Sequence, residues 1–537
     1  MNGHGLSEQG LYGLVAKAAR SSPHRAAVGT ADGRLKLTYS QLDIAAGALA
    51  GRLRRLGLGP GDAVALCAGN SPEFVLTLLA VSRAGAAVAP LDPALPPDQL
   101  AARAGAAHAT VAVVAAHPPV DELAAALGRA AGTNERPVWQ VAMDGARAAV
   151  TVPDGSPGLP ARPAGALPPD TALLLSTSGS TSAPKTVPLT AANVAASVRG
   201  IVGTYRLGPR DATLLIMPLF HGHGLIAGLL ATLASGGAVW LPATGQFSAS
   251  RFWPEMTAAG ATWYTAVPAV HQILLKRAAG DYPRPDPPRL RFIRSCSAPL
   301  APAVARELEV TFGAPVVPAY GMTETAHQAA SNPVPAHGAV KQESVGVPTG
   351  LDLRIAGPDG GDAPDGVTGE IWLRGPAVAA GYLDNPGATA AAFPGGWVRT
   401  GDLGYQDADG YLFLTGRIKE MINRGGEKFS PQQIDAVLLS HPAVADALSF
   451  GVPDEIYGEE VSAAIIVKPG QHVSEHDLEA FCRERLGTAG APKRIFTVAE
   501  FPMTAKHAGD RRKLAAEFAA RRQAPPPRHP GQSASRR

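Results

Sequence analysis

The segment from Ala63 to Leu91 constrains the fold more than any other stretch of the chain. Ala63 to Cys67 is an unbroken apolar run that reads as a short strand. Ser71 supplies an N-cap and Pro72 a first-turn residue for a helix reaching Gly85. Ala86 to Leu91 follows as another apolar strand. Strand-like and helical segments alternate in this way through most of the sequence, which predicts α/β layering. With 537 residues the chain has room for more than one domain.

Composition narrows the function classes. A hydrophobic content of 46% against 17% charged residues fits a globular enzyme with large buried cores. A net charge of +3 is too small at this length for a nucleic-acid binder. Cys67, Cys296 and Cys482 are far apart and form neither a metal motif nor a disulfide framework, which predicts a reducing compartment. Met1 to Leu11 is polar and Gly-rich, unlike a signal peptide, and the last residues are not a peroxisomal address. Gly224 to Ala234 is too short to span a membrane and reads as a buried helix. The expectation is a cytoplasmic protein with no nucleic-acid or membrane partner.

Two segments stand out along the chain. His117 to Pro169 is rich in Pro, Ala and Gly, with an ill-defined helix near Asp121 to Ala131, and reads as a surface excursion. The strongest boundary lies at Gly416 to Glu420. Before it, Val398 to Leu414 reads as strand, turn and strand, with Asp409-Gly410 as the turn. After it a small α/β unit begins: a capped helix at Ser430 to Ser440, strands at Ala445 to Val452 and Ser462 to Val467, and an amphipathic helix at Ser474 to Leu486. The Pro- and Arg-rich stretch Arg521 to Arg537 is expected to be disordered. The expected division is a large α/β body over 1–415, a hinge over 416–420, a small mobile α/β lid over 421–520 and a tail over 521–537.

The chemistry begins at Ser176-Thr177-Ser178-Gly179-Ser180-Thr181-Ser182-Ala183-Pro184-Lys185, directly after the apolar strand Ala172 to Leu175. Small and hydroxyl-bearing residues let backbone N–H groups approach phosphate oxygens, and a lysine adds a point charge. A flexible Ser/Thr linker is the bland alternative. Five further motifs follow in order: Met217-Pro218-Leu219-Phe220-His221, Ala319-Tyr320-Gly321-Met322-Thr323-Glu324, Thr400-Gly401-Asp402, Gly416-Arg417-Ile418-Lys419-Glu420, and Arg424-Gly425-Gly426-Glu427-Lys428.

Together these six motifs resemble the acyl-CoA synthetase, luciferase and nonribosomal-peptide adenylation superfamily of adenylate-forming enzymes. Within it, Ala261 to Pro268, Leu290 to Ser297 and Glu420 to Gly426 are similar to the oxalyl-CoA synthetase-like branch. The resemblance implies a large N-terminal body and a mobile C-terminal lid, acting on a carboxylic acid as its acyl-AMP and on coenzyme A. It implies nucleotide contacts from Thr177, Ser178, Thr181, Lys185, Ser297, Ala298, Pro299, Tyr320, Thr323, Glu324, Asp402 and Arg417. Thr181 and Glu324 would hold a magnesium ion if ATP is used, since that cation takes oxygen ligands. Asp402 would accept from the ribose hydroxyls, and Arg417 would hold the ribose and phosphate side. His221, Gly222, His223 and Gly321 would line the acyl pocket, with Gly222 opening it, although a histidine there is as readily structural. Lys419 would be the hinge, and Gly425 and Gly426 would line the CoA tunnel, where a missing Cβ permits close approach.

One departure from the pattern matters most. The superfamily's catalytic lysine lies in a motif of the form P-K-T-x-x-G-K, shortly before a basic pair. Here the chain reads Pro502-Met503-Thr504-Ala505-Lys506-His507-Ala508-Gly509-Asp510-Arg511-Arg512, and Ala508 stands where the lysine belongs. Thr186 also replaces the usual Gly after Pro184-Lys185. Adenylation needs that positive charge and thioester formation does not. The chain therefore resembles a non-adenylating acyl-CoA ligase that takes acyl-AMP from a separate adenylating enzyme. A complete ATP-dependent synthetase with Lys506 substituting stays open, as does an inactive nucleotide-binding protein.

Overall fold

The computed structural model describes residues 10–115, 120–128, 136–152, 158–160, 167–168, 170–177, 184–502 and 509–523, without the side chains of 120–121 and 520–523. The chain divides into two compact units, Met1–Thr400 with Tyr405–Phe413, and Gly401–Gly404 with Leu414–Arg537. Both are mixed α/β.

In unit one the Ala63–Cys67 strand pairs in parallel with Ala87–Pro90 and with Val111–Ala115. The helix between the first two, Pro72–Ala84, starts where the Ser71 hydroxyl accepts from the Phe74 N–H at 3.1 Å. It stops at Gly85, whose φ of +85° is left-handed. These strands belong to a seven-stranded sheet ordered Arg147–Thr151, Val138–Asp144, Val111–Ala115, Ala63–Cys67, Ala87–Pro90, Thr171–Ser176 and Thr186–Thr190.

That order corrects the reading of 117–169 as a surface excursion. Val138–Asp144 and Arg147–Thr151 form a hairpin that extends the sheet, and Trp139, Val141 and Val150 are buried in the main core. Trp139 and Val141 point inward at the period of two expected of a strand. The Pro-, Ala- and Gly-rich flanks mask that short pattern. A helix over Val120–Gly128 precedes the hairpin.

A second, nine-stranded sheet carries two of the six motifs, Met217 to His221 just beyond Ala212–Leu214 and Ala319 to Glu324 at the end of Val316–Tyr320. Its central strands Phe292–Ser295, Trp263–Ala266, Ala212–Leu214 and Ala238–Leu241 are parallel, and Val316–Tyr320 pairs in parallel beside Phe292–Ser295. One core joins both sheets through the helices Tyr12–Ser21, Tyr39–Arg55, Pro72–Ala84 and Ala191–Tyr205. Gly224 to Ala234 is buried and helical as expected, but His223–Leu230 winds wider than an α-helix. There the Ala231 N–H reaches back five residues to the Ile226 carbonyl.

Unit two is built on a five-stranded sheet. Glu427–Phe429, Ile422–Arg424, Gly458–Val467 and Val444–Asp454 are adjacent in that order, and Arg494–Thr497 pairs with Gly458–Val467. Pro431–Leu439 and Glu475–Gly490 cover one face through Ile434, Leu438, Leu478 and Cys482. Arg511–Gln523 covers the other, with Leu514 and Phe518 against Leu448, Phe450 and Val452. That helix takes in the first three residues of the expected tail.

Trp139→Ala tests the corrected hairpin. Removing a buried indole should cost about 3–5 kcal/mol, read as a lower denaturant midpoint, whereas a surface residue would leave the midpoint unchanged.

Candidate active site

The phosphate-loop motif leaves the sheet between adjacent strands. The Thr177 N–H donates to the Lys185 carbonyl at 2.8 Å, and the Lys185 N–H donates to Thr177 Oγ1 at 3.2 Å. Ser176 then pairs with Thr186 in the antiparallel ladder. The loop is thus pinned at its two ends, while Ser178 and Thr181 lie outside the described residues. Thr186 is buried, and its carbonyl accepts from the Leu383 N–H at 2.9 Å.

Lys185 Nζ lies 4.5 Å above the Tyr382 ring, and the Tyr382 hydroxyl donates to Glu324 Oε1 at 2.7 Å. Burial first, and then the Glu324 charge, push the Tyr382 phenol up, so it remains a donor. Lys185, Tyr382 and Glu324 therefore form one cluster, in which Tyr382 has no counterpart among the sequence-predicted residues. Thr323 and Glu324 occupy a short 3-10 turn just beyond Tyr320. Among the described residues no three His, Cys, Asp or Glu side chains gather as a metal site. One carboxylate beside phosphate oxygens is nevertheless a usual magnesium environment, and Glu324 fits it.

The residues expected on the acyl side lie near the carboxyl ends of neighbouring parallel strands, the customary place for a ligand in such sheets. Thr265 on one strand is in register with Arg294 on the next. Ser297, Ala298 and Pro299 follow the second strand, and Tyr320 ends the third. His223 is buried, with Nδ1 3.0 Å from Ser297 Oγ and Nε2 2.6 Å from Thr265 Oγ1. Its ring stacks on His327 at 5.2 Å. Burial, followed by the Arg294 charge, holds the His223 pKa well below the usual imidazole range. The neutral form is the relevant one.

Arg294 is fully buried. Its Nε donates to the Tyr205 hydroxyl at 2.8 Å, Nη1 to Thr265 Oγ1 at 3.1 Å, and Nη2 to His327 Nε2 at 3.0 Å and Gln328 Oε1 at 2.9 Å. Among the described residues no carboxylate pairs with it. Arg294 and His327 were not among the sequence-predicted site residues. The available signal was a cation inside the apolar run Phe292-Ile293-Arg294-Ser295. Ser297, Ala326 and His327 all take left-handed φ values of 73°, 48° and 86°. Such non-glycine outliers concentrate at functional sites.

The glycines divide by cause. A Cβ on Gly321 would come within 1.5 Å of the His327 carbonyl oxygen, so only glycine permits that approach. A Cβ on Gly222 would lie 3.3 Å from His327 Cβ, so His327 occupies the space beside it. His221 is half-buried with its ring against Phe220 at 4.7 Å. In unit two Gly425 and Gly426 have φ of 61° and 93° at the turn between Ile422–Arg424 and Glu427–Phe429. A two-residue hairpin turn with positive φ at both positions is sufficient reason for both glycines.

Also in unit two, Arg417 Nε donates to the largely buried Asp402 carboxylate at 2.7 Å. Lys419 is exposed in the 3-10 turn Ile418–Glu420. Glu420 accepts from Gln432 Nε2 at 2.6 Å and lies 3.9 Å from Arg511. Ala508 and Lys506 lie outside the described residues, but both flanks of their segment are held. The Asp510 N–H donates to the Pro502 carbonyl at 2.7 Å. Gly509 packs so closely on Leu448 that a Cβ would come within 2.7 Å of its side chain. Arg511 bonds to Asp435 and, at 2.6 Å, to the Ser449 carbonyl.

Comparisons with known proteins bear on the family and the fold. The profile of the AMP-binding enzyme family matches residues 15–383, and that of the AMP-binding enzyme C-terminal domain matches 433–507. An oxalate–CoA ligase of Arabidopsis thaliana is 44% identical, over 95% of this chain and 98% of its own length. A sulfoacetate–CoA ligase of Cupriavidus necator is 38% identical, over 92% and 94%. The crystal structure of ATP-bound MatB from Rhodopseudomonas palustris superposes with a TM-score of 0.82 at 28% identity, covering 95% of this chain and 99% of that one. Among the described residues no helix is long and apolar enough to cross a membrane.

Asp402→Ala should weaken use of an acyl-adenylate by roughly 1.5–3 kcal/mol, the range for a hydrogen bond to a charged group. The check is the acyl-AMP concentration dependence of product formation, which should shift to higher concentration by about tenfold or more.

Proposed function

The chain belongs to the AMP-binding enzyme family, in the oxalyl-CoA synthetase-like branch of the adenylate-forming superfamily. Its relatives place it among the acyl-CoA ligases, which are acid–thiol ligases. Within that class, we propose that it performs only the second half-reaction, acyl-AMP plus CoA giving acyl-CoA plus AMP. The observation that carries this reading is Ala508 at the catalytic-lysine position. The Pro502–Asp510 hydrogen bond, the Gly509–Leu448 packing and the Arg511–Asp435 pair support it by holding both flanks in register. Bringing Lys506 to the place of residue 508 means a shift of roughly 6–7 Å along an extended chain, and catalytic contacts tolerate about 1 Å.

In the proposed reaction the CoA sulfur attacks the acyl carbon, the bond from that carbon to the phosphate oxygen breaks, and AMP leaves. The thiol proton goes to solvent. In unit one, Ala298, Pro299 and Tyr320 flank the base, and the His223 region, with Ser297 bonded to it, receives the acyl group; Asp402 and Arg417 are the residues proposed for the ribose. Lys185 faces the phosphate. Glu324, with Thr181, would hold magnesium only for a triphosphate, and the proposed reaction needs none. A separate adenylating enzyme supplies the acyl-AMP.

Two assays separate the readings. ATP-dependent pyrophosphate exchange should be undetectable in the wild type, while synthetic acyl-adenylates should give acyl-CoA in a single turnover. Ala508→Lys should raise exchange by roughly 10²–10³-fold, the scale of one positioned electrostatic contact. Fast exchange by the wild type would overturn the proposal in favour of the complete synthetase. No transfer from any adenylate would favour the nucleotide-binding protein.

The proposed hinge has its own test. A proline at 419 disfavours helical backbone at Ile418, which sits in the 3-10 turn Ile418–Glu420. Lys419→Pro should therefore lose most acyl transfer to CoA while binding of acyl-AMP, followed by calorimetry, remains. Transfer at the wild-type rate would show that the turn is not a working hinge.

A further inference from the structure

The hydrogen bonds around Arg294 have a direction that follows from counting donors. A guanidinium only donates, so Thr265 Oγ1 accepts from it. Thr265 has one hydroxyl hydrogen, it is buried, and its sole other partner among the described residues is His223 Nε2 at 2.6 Å. If Nε2 carried the imidazole proton, that hydroxyl hydrogen would be buried without an acceptor, a costly arrangement. The arrangement that satisfies every group has Thr265 donating to a bare Nε2. The neutral ring must then carry its proton on Nδ1, which donates to Ser297 Oγ at 3.0 Å. Ser297 already accepts there and has no further partner among the described residues, so its own hydrogen points elsewhere. Arg294 imposes the same polarity on His327, whose Nε2 also accepts from it.

We propose that Arg294, Thr265 and His223 form a directional hydrogen-bond relay that presents the Ser297 hydroxyl as a donor to the carbonyl oxygen of the bound acyl group. Arg294, Thr265 and His223 are positioning residues and Ser297 is the group that touches the substrate. Negative charge develops on the carbonyl oxygen when the CoA sulfur adds, and a preoriented donor stabilises it. The left-handed backbone at Ser297, with φ of 73°, is the local strain that turns the hydroxyl out of the strand. The last step of the relay rests on the reading of this pocket as the acyl-adenylate site; the polarity of the bonds does not.

The polarity is tested first, on the wild-type protein. Long-range nitrogen–proton spectra of histidine-labelled protein, with His223 assigned by its absence in His223→Gln, should show the proton on Nδ1. A proton on Nε2 overturns the relay whether or not acyl-AMP is turned over. Arg294→Gln offers an acceptor to Thr265 and should move the His223 proton toward Nε2; an unchanged tautomer in the folded variant removes Arg294 from the relay. The function of the relay is read as single-turnover transfer from acyl-AMP to CoA. Ser297→Ala and Thr265→Val should each slow it by roughly ten- to hundredfold, and Thr265→Val, which does not touch the substrate, should leave acyl-AMP affinity little changed. Thr265→Ser should restore the rate, and the double variant should be no slower than the slower single, because both cut one chain. A wild-type rate in either single variant, or losses that multiply, overturns the proposal. If Thr265→Val fails to fold by circular dichroism, Ser297→Ala and the wild-type tautomer decide. If the wild type transfers no acyl group at all, the functional reading falls, and the spectrum still settles the polarity.

Discussion

A buried guanidinium that pairs with no carboxylate among the described residues is the constraint around which the polar interior of unit one is arranged. Removing such a charge from water costs several kcal/mol even after relaxation, so every N–H near it must be matched. Arg294 is matched by four acceptors from three places: Tyr205 at the end of a helix, Thr265 on the next strand, and His327 and Gln328 after the short turn that carries Glu324. The Tyr205 hydroxyl also meets Ser331 Oγ at 2.6 Å, which ties in the next strand of the sheet. Burial, and then the same charge, keep the neighbouring His223 imidazole neutral, since a second cation beside the first would be repelled. Sheet, helix and loop are therefore coupled through one polar side chain in addition to the apolar core they share.

Much of this architecture was legible in the sequence, for physical reasons. The Ala63–Leu91 unit announces itself because its strand, cap, first-turn proline and terminal glycine are all local signals, and each is observed. The strand–turn–strand over 398–414 is equally local. The hairpin at 138–151 was missed because its inward residues are few and its flanks look like a loop. Gly425 and Gly426 were noticed as glycines, but the backbone conformation that requires them appears only in the structure.

The site was legible where spacing carries the chemistry and illegible where partners come from distant segments. Lys185, Glu324, Asp402 and Arg417 stand in recognisable motifs. Tyr382, which joins Lys185 to Glu324, is remote from both in sequence and belongs to no motif. His327 and Arg294 are likewise 33 residues apart and meet only through the fold. A single charged residue in an apolar strand signals that something must accept its protons, without saying what.

The closed flanks around residues 503–508 have a consequence for how such a reaction can be divided. The contacts that fix the two flanks are made by Pro502, Gly509, Asp510 and Arg511. None of those contacts uses the side chain at 508, so a substitution there leaves them in place. Under the proposed function the reaction divides at one codon: the power to activate an acid lapses while the power to hand it to a thiol is kept. Once a neighbouring protein performs the activation, drift at that codon has no metabolic cost, and a labile intermediate becomes a commodity passed between two gene products.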